Sequence, residues 1–258
     1  MIARLLGVSE AAAPDLLGWS HAMVAMYQAR RDRAVEDRAN AAARDFADFL
    51  TREIARRRTD PGDDLLSHLI AAEAEGDRLS GPELIATAVL LLNAGHEATV
   101  HAIGNGVAAI LGAGVDPAAL FAGPEATAAT VEEILRFDPP LHLFTRIARE
   151  EVEIFGHRFA PGDTVGCLLA AANRDPGRFA EPGRFAPERF RTAARAPAQL
   201  AFGAGIHFCV GAPLARLELA LALPALFARW PRIRLAAPLR FADRYHFRGL
   251  ETLPLRPR

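Results

Sequence analysis

The chain has 258 residues, 51% hydrophobic and 24% charged, with a formal net charge of −1, so it can bury a large core and lacks the basic surplus of a nucleic-acid binder. Two cysteines, Cys167 and Cys209, are too few for a disulfide framework or a four-thiolate zinc site, and they fit a reducing, cytoplasmic setting. The longest apolar run, Leu84 to Ala94, is too short to span a bilayer, and Met1 to Val8 lacks the long apolar stretch of a secretory signal.

The first part of the chain reads as helices. Leu16, Trp19, Met23 and Met26-Tyr27 recur at helical spacing behind Pro14, a first-turn residue. A second helix is predicted over 32–57, with Val35, Phe46, Phe49, Leu50 and Ile54 as its apolar stripe. Arg56-Arg-Arg58 suits its C-terminal dipole, and Asp60-Pro-Gly62 breaks it. A shorter helix follows over 65–74 and ends at Gly76.

Ser80-Gly-Pro-Glu83 has the spacing of a capping box, and nothing stops the helix it opens until about Leu111. Some thirty residues at about 1.5 Å each make a rod of roughly 45 Å, apolar nearly all round in its first half, so it crosses the middle of the molecule. Midway along it lies Ala94-Gly-His-Glu-Ala-Thr99. Ala94 and Gly95 clear space on one face for something flat, and Glu97 sets a carboxylate in an apolar setting. His96-Glu97 also has the first two letters of the zinc-peptidase motif H-E-x-x-H. That reading fails, because His101 is five residues on, about 140° around the helix, and Val100 holds the position the motif requires.

A helix is predicted from Pro124 to Phe137, on which Glu133 and Arg136 share a face. Alternation over Phe144–Arg149 and Val152–Phe155, with Gly156 as a turn, predicts a small sheet. The run from Val165 to Ala171 is apolar and makes Cys167 a buried core thiol. Residues 173–195 are irregular but too aromatic for a disordered linker.

Phe202-Gly-Ala-Gly-Ile-His-Phe-Cys-Val-Gly211 then sets one cysteine just ahead of an amphipathic helix. Unpaired N–H groups at that helix start stabilise a thiolate, which makes Cys209 a candidate iron ligand, with a buried core thiol as the alternative. Gly203 and Gly205 allow tight turns, Gly211 admits a flat ligand, and Phe202 shields the sulfur. Leu214, Leu217, Leu221 and Leu226 form the expected core stripe of the following helix, with Pro224 as a bend. Ile233-Arg-Leu235 and Tyr245-His-Phe247 are expected hairpin strands. The fold class is mainly α with small β sheets (α+β), a single domain over 1–258.

The stretch from Phe202 to Gly211 resembles the haem-binding signature of the cytochromes P450, the haem-thiolate monooxygenases. Three further segments resemble that family in the same order: Ala94 to Thr99 its central helix, Glu133 with Arg136 its E-x-x-R helix, and Pro187-Glu-Arg-Phe190 the segment whose Arg189 completes a buried triad. The resemblance implies a soluble bacterial P450 fold carrying haem b (iron protoporphyrin IX), with Cys209 as axial ligand of the iron. It implies that Phe202, Gly203, Gly211, Ala94 and Gly95 border the haem and that Arg146 and His207 pair with its propionates. Glu97, Ala98 and Thr99 fall on the catalytic segment, where Ala98 stands in place of the family's usual threonine and Thr99 lies one step further around. Leu141, His142, Leu143 and Leu250 map to the substrate pocket. The implied reaction inserts one oxygen atom from O₂ into a small organic substrate. Electrons come from NAD(P)H through a ferredoxin-type donor and its reductase, and the protein is a cytoplasmic monomer with no nucleic-acid or membrane partner. The likeness covers the later two-thirds of a family member, so the competing expectation is a truncated, catalytically inactive haem-binding remnant.

Overall fold

The computed structural model describes residues 1–28, 31–74, 79–191, 198–242 and 246–257, and the chain divides into two compact units, Met1–Glu97 and Ala98–Arg258. The expected helix end at Gly76, the far end of the irregular stretch at Arg195 and the strand residue Tyr245 lie outside the described residues.

The first unit is helical: α1 (Ile2–Leu6), α2 (Ala13–Val24), α3 (Arg33–Thr59), α4 (Leu65–Ala74) and the beginning of α5 (Gly81–Ala113). Pro14 lies in the first turn of α2, where its missing N–H costs nothing. Asp32 caps α3 by accepting the Val35 N–H at 2.9 Å. Of the expected stripe, Phe46, Leu50 and Ile54 are buried and Val35 and Phe49 half-buried, and Ala39 and Ala42 extend the buried face toward the N-terminus. Trp19 of α2 stacks on Phe46 at 5.3 Å, and Leu6, Leu66, Leu84 and Leu92 close the same core. At the break after α3, Gly62 donates to Ser67 Oγ at 3.0 Å, and Arg57 pairs with Asp64 at 3.0 Å. At the start of α5 the Ser80 N–H donates to the Glu83 carboxylate at 2.8 Å, which holds the Glu83 carboxyl below the usual range. The Ser80 hydroxyl donates to that carboxylate too, a second charge-assisted bond between the two residues of the expected capping box.

The second unit contains the remainder of α5, then α6 (Pro117–Leu120), α7 (Pro124–Phe137), β1 (Leu143–Ile147), β2 (Val152–Ile154), β3 (His157–Phe159), β4 (Thr164–Leu168), α8 (Leu169–Ala172), α9 (Ala212–Arg229), β5 (Arg234–Leu235), β6 (Arg240–Phe241), β7 (Leu250–Thr252) and β8 (Leu255–Arg256). Its described strands pair antiparallel two by two, β1 with β4, β2 with β3, β5 with β8 and β6 with β7. Phe155 and Gly156 both take positive φ, 49° and 78°, which is the backbone a tight two-residue hairpin needs. Val107 and Ile110 of α5, Ile134 and Leu135 of α7, and Leu219, Leu223 and Phe227 of α9 form the core. Gly106 makes the α5–α7 approach possible, since a Cβ there would lie 3.0 Å from Ile134 Cγ2.

The mainly helical α+β expectation stands. Two finer readings need correction. In α9 the buried face is Ala212, Leu219, Leu223 and Phe227, whereas the expected core residues Leu217 and Leu221 are exposed. Leucines occupy several faces of this helix, so periodicity alone had no unique stripe to choose. Cys167 is half-buried instead of a core thiol, because the apolar run divides into strand β4 and the single turn α8. Among the described residues no helix is long and apolar enough to cross a membrane.

Candidate functional site

Cys209 sits three residues before the first residue of α9, and its carbonyl accepts the Ala212 N–H at 3.2 Å, so the cysteine closes the turn that starts the helix. The loop ahead of it is folded back on itself. The Cys209 N–H donates to Phe202 C=O at 3.0 Å, the Phe208 N–H to Gly205 C=O at 3.0 Å, and the Gly203 N–H to Leu200 C=O at 2.9 Å. Gly203 and Gly205 hold φ of 69° and 72°, a conformation that side chains with a Cβ resist. A Cβ on Gly211 would stand 3.8 Å from Cys209 Sγ, an ordinary contact distance, so Gly211 lies directly beside the sulfur. The thiol is half-buried, and Ile206, Phe208 and Val210 around it are exposed. A soft ligand atom at a helix start, within an apolar rim, suits an iron-bearing macrocycle with apolar faces.

The loop is anchored to α7 by a continuous chain of polar contacts. Glu133 and Arg136 are both wholly buried and form two bonds, Nε to Oε2 at 2.7 Å and Nη2 to Oε1 at 2.8 Å. Arg189 brings its Nε within 3.2 Å of the same carboxylate, and the Ala186 N–H donates to it at 2.6 Å. Thus Glu133, Arg136 and Arg189 are brought together. Arg136 also donates to the carbonyls of Asn173 and Pro182, each at 3.0 Å, and Asn173 Oδ1 accepts the Leu200 N–H at 2.7 Å, one step from the Gly203 turn. Charged hydrogen bonds of this kind are stronger and more directional than neutral ones, so the position of the cysteine loop is fixed from the α7 side.

Several of these supports carried no signal in the sequence. Glu132 pairs with Arg216 of α9 and accepts Gln199 Nε2 at 3.1 Å, while the Arg216 guanidinium lies 4.6 Å from the ring centre of Phe202. Adjacent carboxylates on α7 therefore serve two different networks. A Glu-Glu pair in a helix ordinarily marks a solvated face, and only the folded contacts distinguish it.

Two of the residues mapped to a substrate pocket, Leu141 and His142, pair with the segment that leads to Leu250. Leu141 bridges Phe247, the His142 N–H meets the His246 carbonyl at 3.5 Å, and Leu250 Cδ1 lies 3.9 Å from where a Cβ on Gly104 would be. Asn105, buried in α5, holds this loop by donating to Asp138 C=O at 3.1 Å and Arg248 C=O at 3.0 Å. Arg248 closes the cluster on Asp138 at 2.6 Å. Leu143 is buried at the start of β1, against Gly166 of β4. Arg146 is exposed on β1 and donates to its neighbour's carbonyl, Thr145, at 2.9 Å, and His207 is exposed in the cysteine loop.

On α5, Ala94 and Gly95 are exposed, and a Cβ on Gly95 would meet Ile2 at 3.3 Å within the first unit. Glu97 is buried, with Oε1 3.5 Å from Nε2 of His21, a neighbour supplied by α2 that no local pattern announced. Ala98 and Thr99 are half-buried at the beginning of the second unit.

Comparison with known proteins gives these observations a context. The family model described as Cytochrome P450 matches residues 125–231, which contain all but the first residue of α7, strands β1 to β4, the cysteine loop and α9. The chain is 42% identical to cytochrome P450 107B1 of Saccharopolyspora erythraea, covering all of this chain and 62% of that protein. It is 40% identical to the 6-deoxyerythronolide B hydroxylase of the same organism, covering 99% of this chain and 62% of the relative. The chain thus spans about 62% of the length of these curated relatives. The crystal structure of CalO2 superposes with a TM-score of 0.91 at 35% identity, covering 100% of this chain and 64% of that one.

Proposed function

We infer the function from one premise: this chain belongs to the cytochrome P450 family, and its fold is the P450 fold. The reading it supports best is a haem-thiolate monooxygenase. Haem b, when bound, supplies the activation of O₂ and the insertion of one oxygen atom into a carbon skeleton. Cys209 would hold the iron through its thiolate, presented three residues ahead of the first residue of α9. Arg146 and His207, both exposed cations or potential cations, would take the propionates. Phe202, held between Phe208 and Arg216, would keep water from the sulfur. Leu141, His142, Leu143 and Leu250 would receive a small, largely apolar organic substrate. By analogy with the relative named as a 6-deoxyerythronolide B hydroxylase, the product is an alcohol.

Proton delivery would fall to Glu97, ordered water or the substrate itself, since Ala98 has no hydroxyl to relay a proton and Thr99 is a further helical step of about 100° away. NAD(P)H supplies electrons through a ferredoxin-type donor and its reductase. The triad of Glu133, Arg136 and Arg189 is structural, holding the loop that presents Cys209.

The observation that carries this reading is the cysteine fixed at the start of α9 by the Phe202 carbonyl and the Asn173–Leu200 link. With haem added, the reduced protein under carbon monoxide should show the strongly red-shifted Soret band of thiolate ligation. Cys209→Ala should abolish the band and Cys167→Ala should leave it. A band that survives Cys209→Ala removes the assignment. Haem bound through Cys209 without product, given NAD(P)H, ferredoxin and reductase, would favour a haem-binding protein without turnover.

A further inference from the structure

The H-E-x-x-H motif fails on α5 because that helix carries no second imidazole on the face of His96. A neighbouring helix supplies one. His21 of α2 places Nε2 3.5 Å from Glu97 Oε1, and its ring centre lies 5.3 Å from that of His96. One ligand atom from each of His21, His96 and Glu97 lies within 4.8 Å of the other two. All three residues belong to the first unit. The pairing of α2 with α5 is fixed at a second point, where Asn93 Nδ2 meets Met23 Sδ at 3.7 Å, so the cluster rests on two packed helices and not on a loop. His96 and Glu97, adjacent in sequence, diverge by about 100° around their helix and cannot form a site by themselves. Convergence is a product of α2.

We propose that His21, His96 and Glu97 form a site for one first-row divalent cation, with zinc as the reference ion. Two imidazoles and one carboxylate are a borderline nitrogen–oxygen set that suits zinc, whereas calcium and magnesium favour oxygen ligands throughout. Tetrahedral zinc with bonds of about 2.0–2.1 Å sets ligand atoms roughly 3.4 Å apart, so side-chain shifts on the order of 1 Å close the cluster. Glu97 is only 3% exposed, which makes a nearby positive charge favourable, while the His21 side chain is 56% exposed and gives the ion a route in. Three protein ligands leave a fourth position for water. The ion clamps α2 to α5. The proposal does not rest on the haem reading, and with the ion bound Glu97 is a ligand, which leaves proton delivery in that reading to ordered water or the substrate.

The test is titration of the full chain with zinc alone, followed by calorimetry, in a Cys167→Ser, Cys209→Ser background that removes competing thiols. One equivalent should bind, and His21→Ala and His96→Ala should each weaken it by at least about 10-fold, since even losing an outer-shell partner of a metal commonly costs that much. Cobalt in place of zinc should give the intense visible bands of a low-coordinate ion, absent in His21→Ala. His68→Ala, a control on α4 beside Asp63, should change nothing. Zinc should raise the thermal midpoint of the parent and not of the His21→Gln variant, which keeps a polar side chain of similar size. No bound equivalent, or binding in the His21 variants as strong as in the parent, overturns the proposal.

Discussion

Two arginines share Glu133, but they do not contribute alike. Arg136 is wholly buried and bonded to Glu133 and to three backbone carbonyls, while Arg189 retains some exposure at the edge of the triad. Removing one partner of a buried pair strands the other charge, at a cost of about 3–5 kcal/mol. Arg136→Met should therefore lower the urea-unfolding free energy by about that amount. It should also speed the reaction of Cys209 with a thiol reagent in the folded protein, because the Asn173–Leu200 link to the loop loses its anchor. A loss under about 1 kcal/mol with unchanged thiol reactivity would contradict the role given to Arg136. His246 provides a pH handle in the same unit. Burial pushes its imidazole below the ordinary value of 6.5, and its ring meets Phe144 edge-on at 5.3 Å. A base depressed in the folded state contributes stability above its unfolded pKa that is lost as pH falls through the folded value. Between about pH 7 and about pH 5 the stability of His246→Phe should fall less steeply than that of the parent.

At the scale of elements, α9 shows how tertiary contact selects a face. Leu223 is wholly buried against the α5 and α7 side chains of the second core, whereas Leu221, two residues earlier, is 61% exposed. Leu223→Ala should cost about 2–5 kcal/mol, the range for a core leucine that leaves a cavity. Leu221→Ala should stay within about 0.5 kcal/mol, since it removes little buried surface. Chemical denaturation of the two variants distinguishes this face from the one that periodicity proposed. The approach of α5 to α7 rests on Gly106 for a related reason: Ile134 already fills the space a methyl group would need.

At the scale of the molecule, each unit has its own apolar core, one centred on Phe46, Leu50 and Leu66 and the other on Ile110, Ile134 and Leu219. Around the thiol the pattern is different. Ile206 is 97% exposed and Val210 87% exposed, although each is an apolar side chain. Burying apolar surface contributes about 25 cal/mol per Å², so haem seated on Cys209 should draw this rim out of water. Hydrogen exchange over residues 202–211 should slow on haem addition, and should not slow in Cys209→Ala. Equal exchange with and without haem would detach the rim from the proposed site.

Local chemistry was legible in the order of residues alone. The start of the long helix near Asp32, the helix from Pro124 to Phe137, the Gly156 turn and the cysteine ahead of a helix all depend on neighbours within a few positions, and short-range sterics and hydrogen bonding decide them. The Glu133–Arg136 pair was legible too, because three residues is one turn of a helix. The partners of such groups across the fold were not. His21 beside Glu97, Glu132 beneath Arg216, Asn173 between Arg136 and Leu200, and the buried side of α9 join segments far apart in the chain, where the sequence carries no fixed spacing. Packing chose them, since a helix apolar on several sides has many possible seats and the one adopted is set by what the other elements leave to be covered.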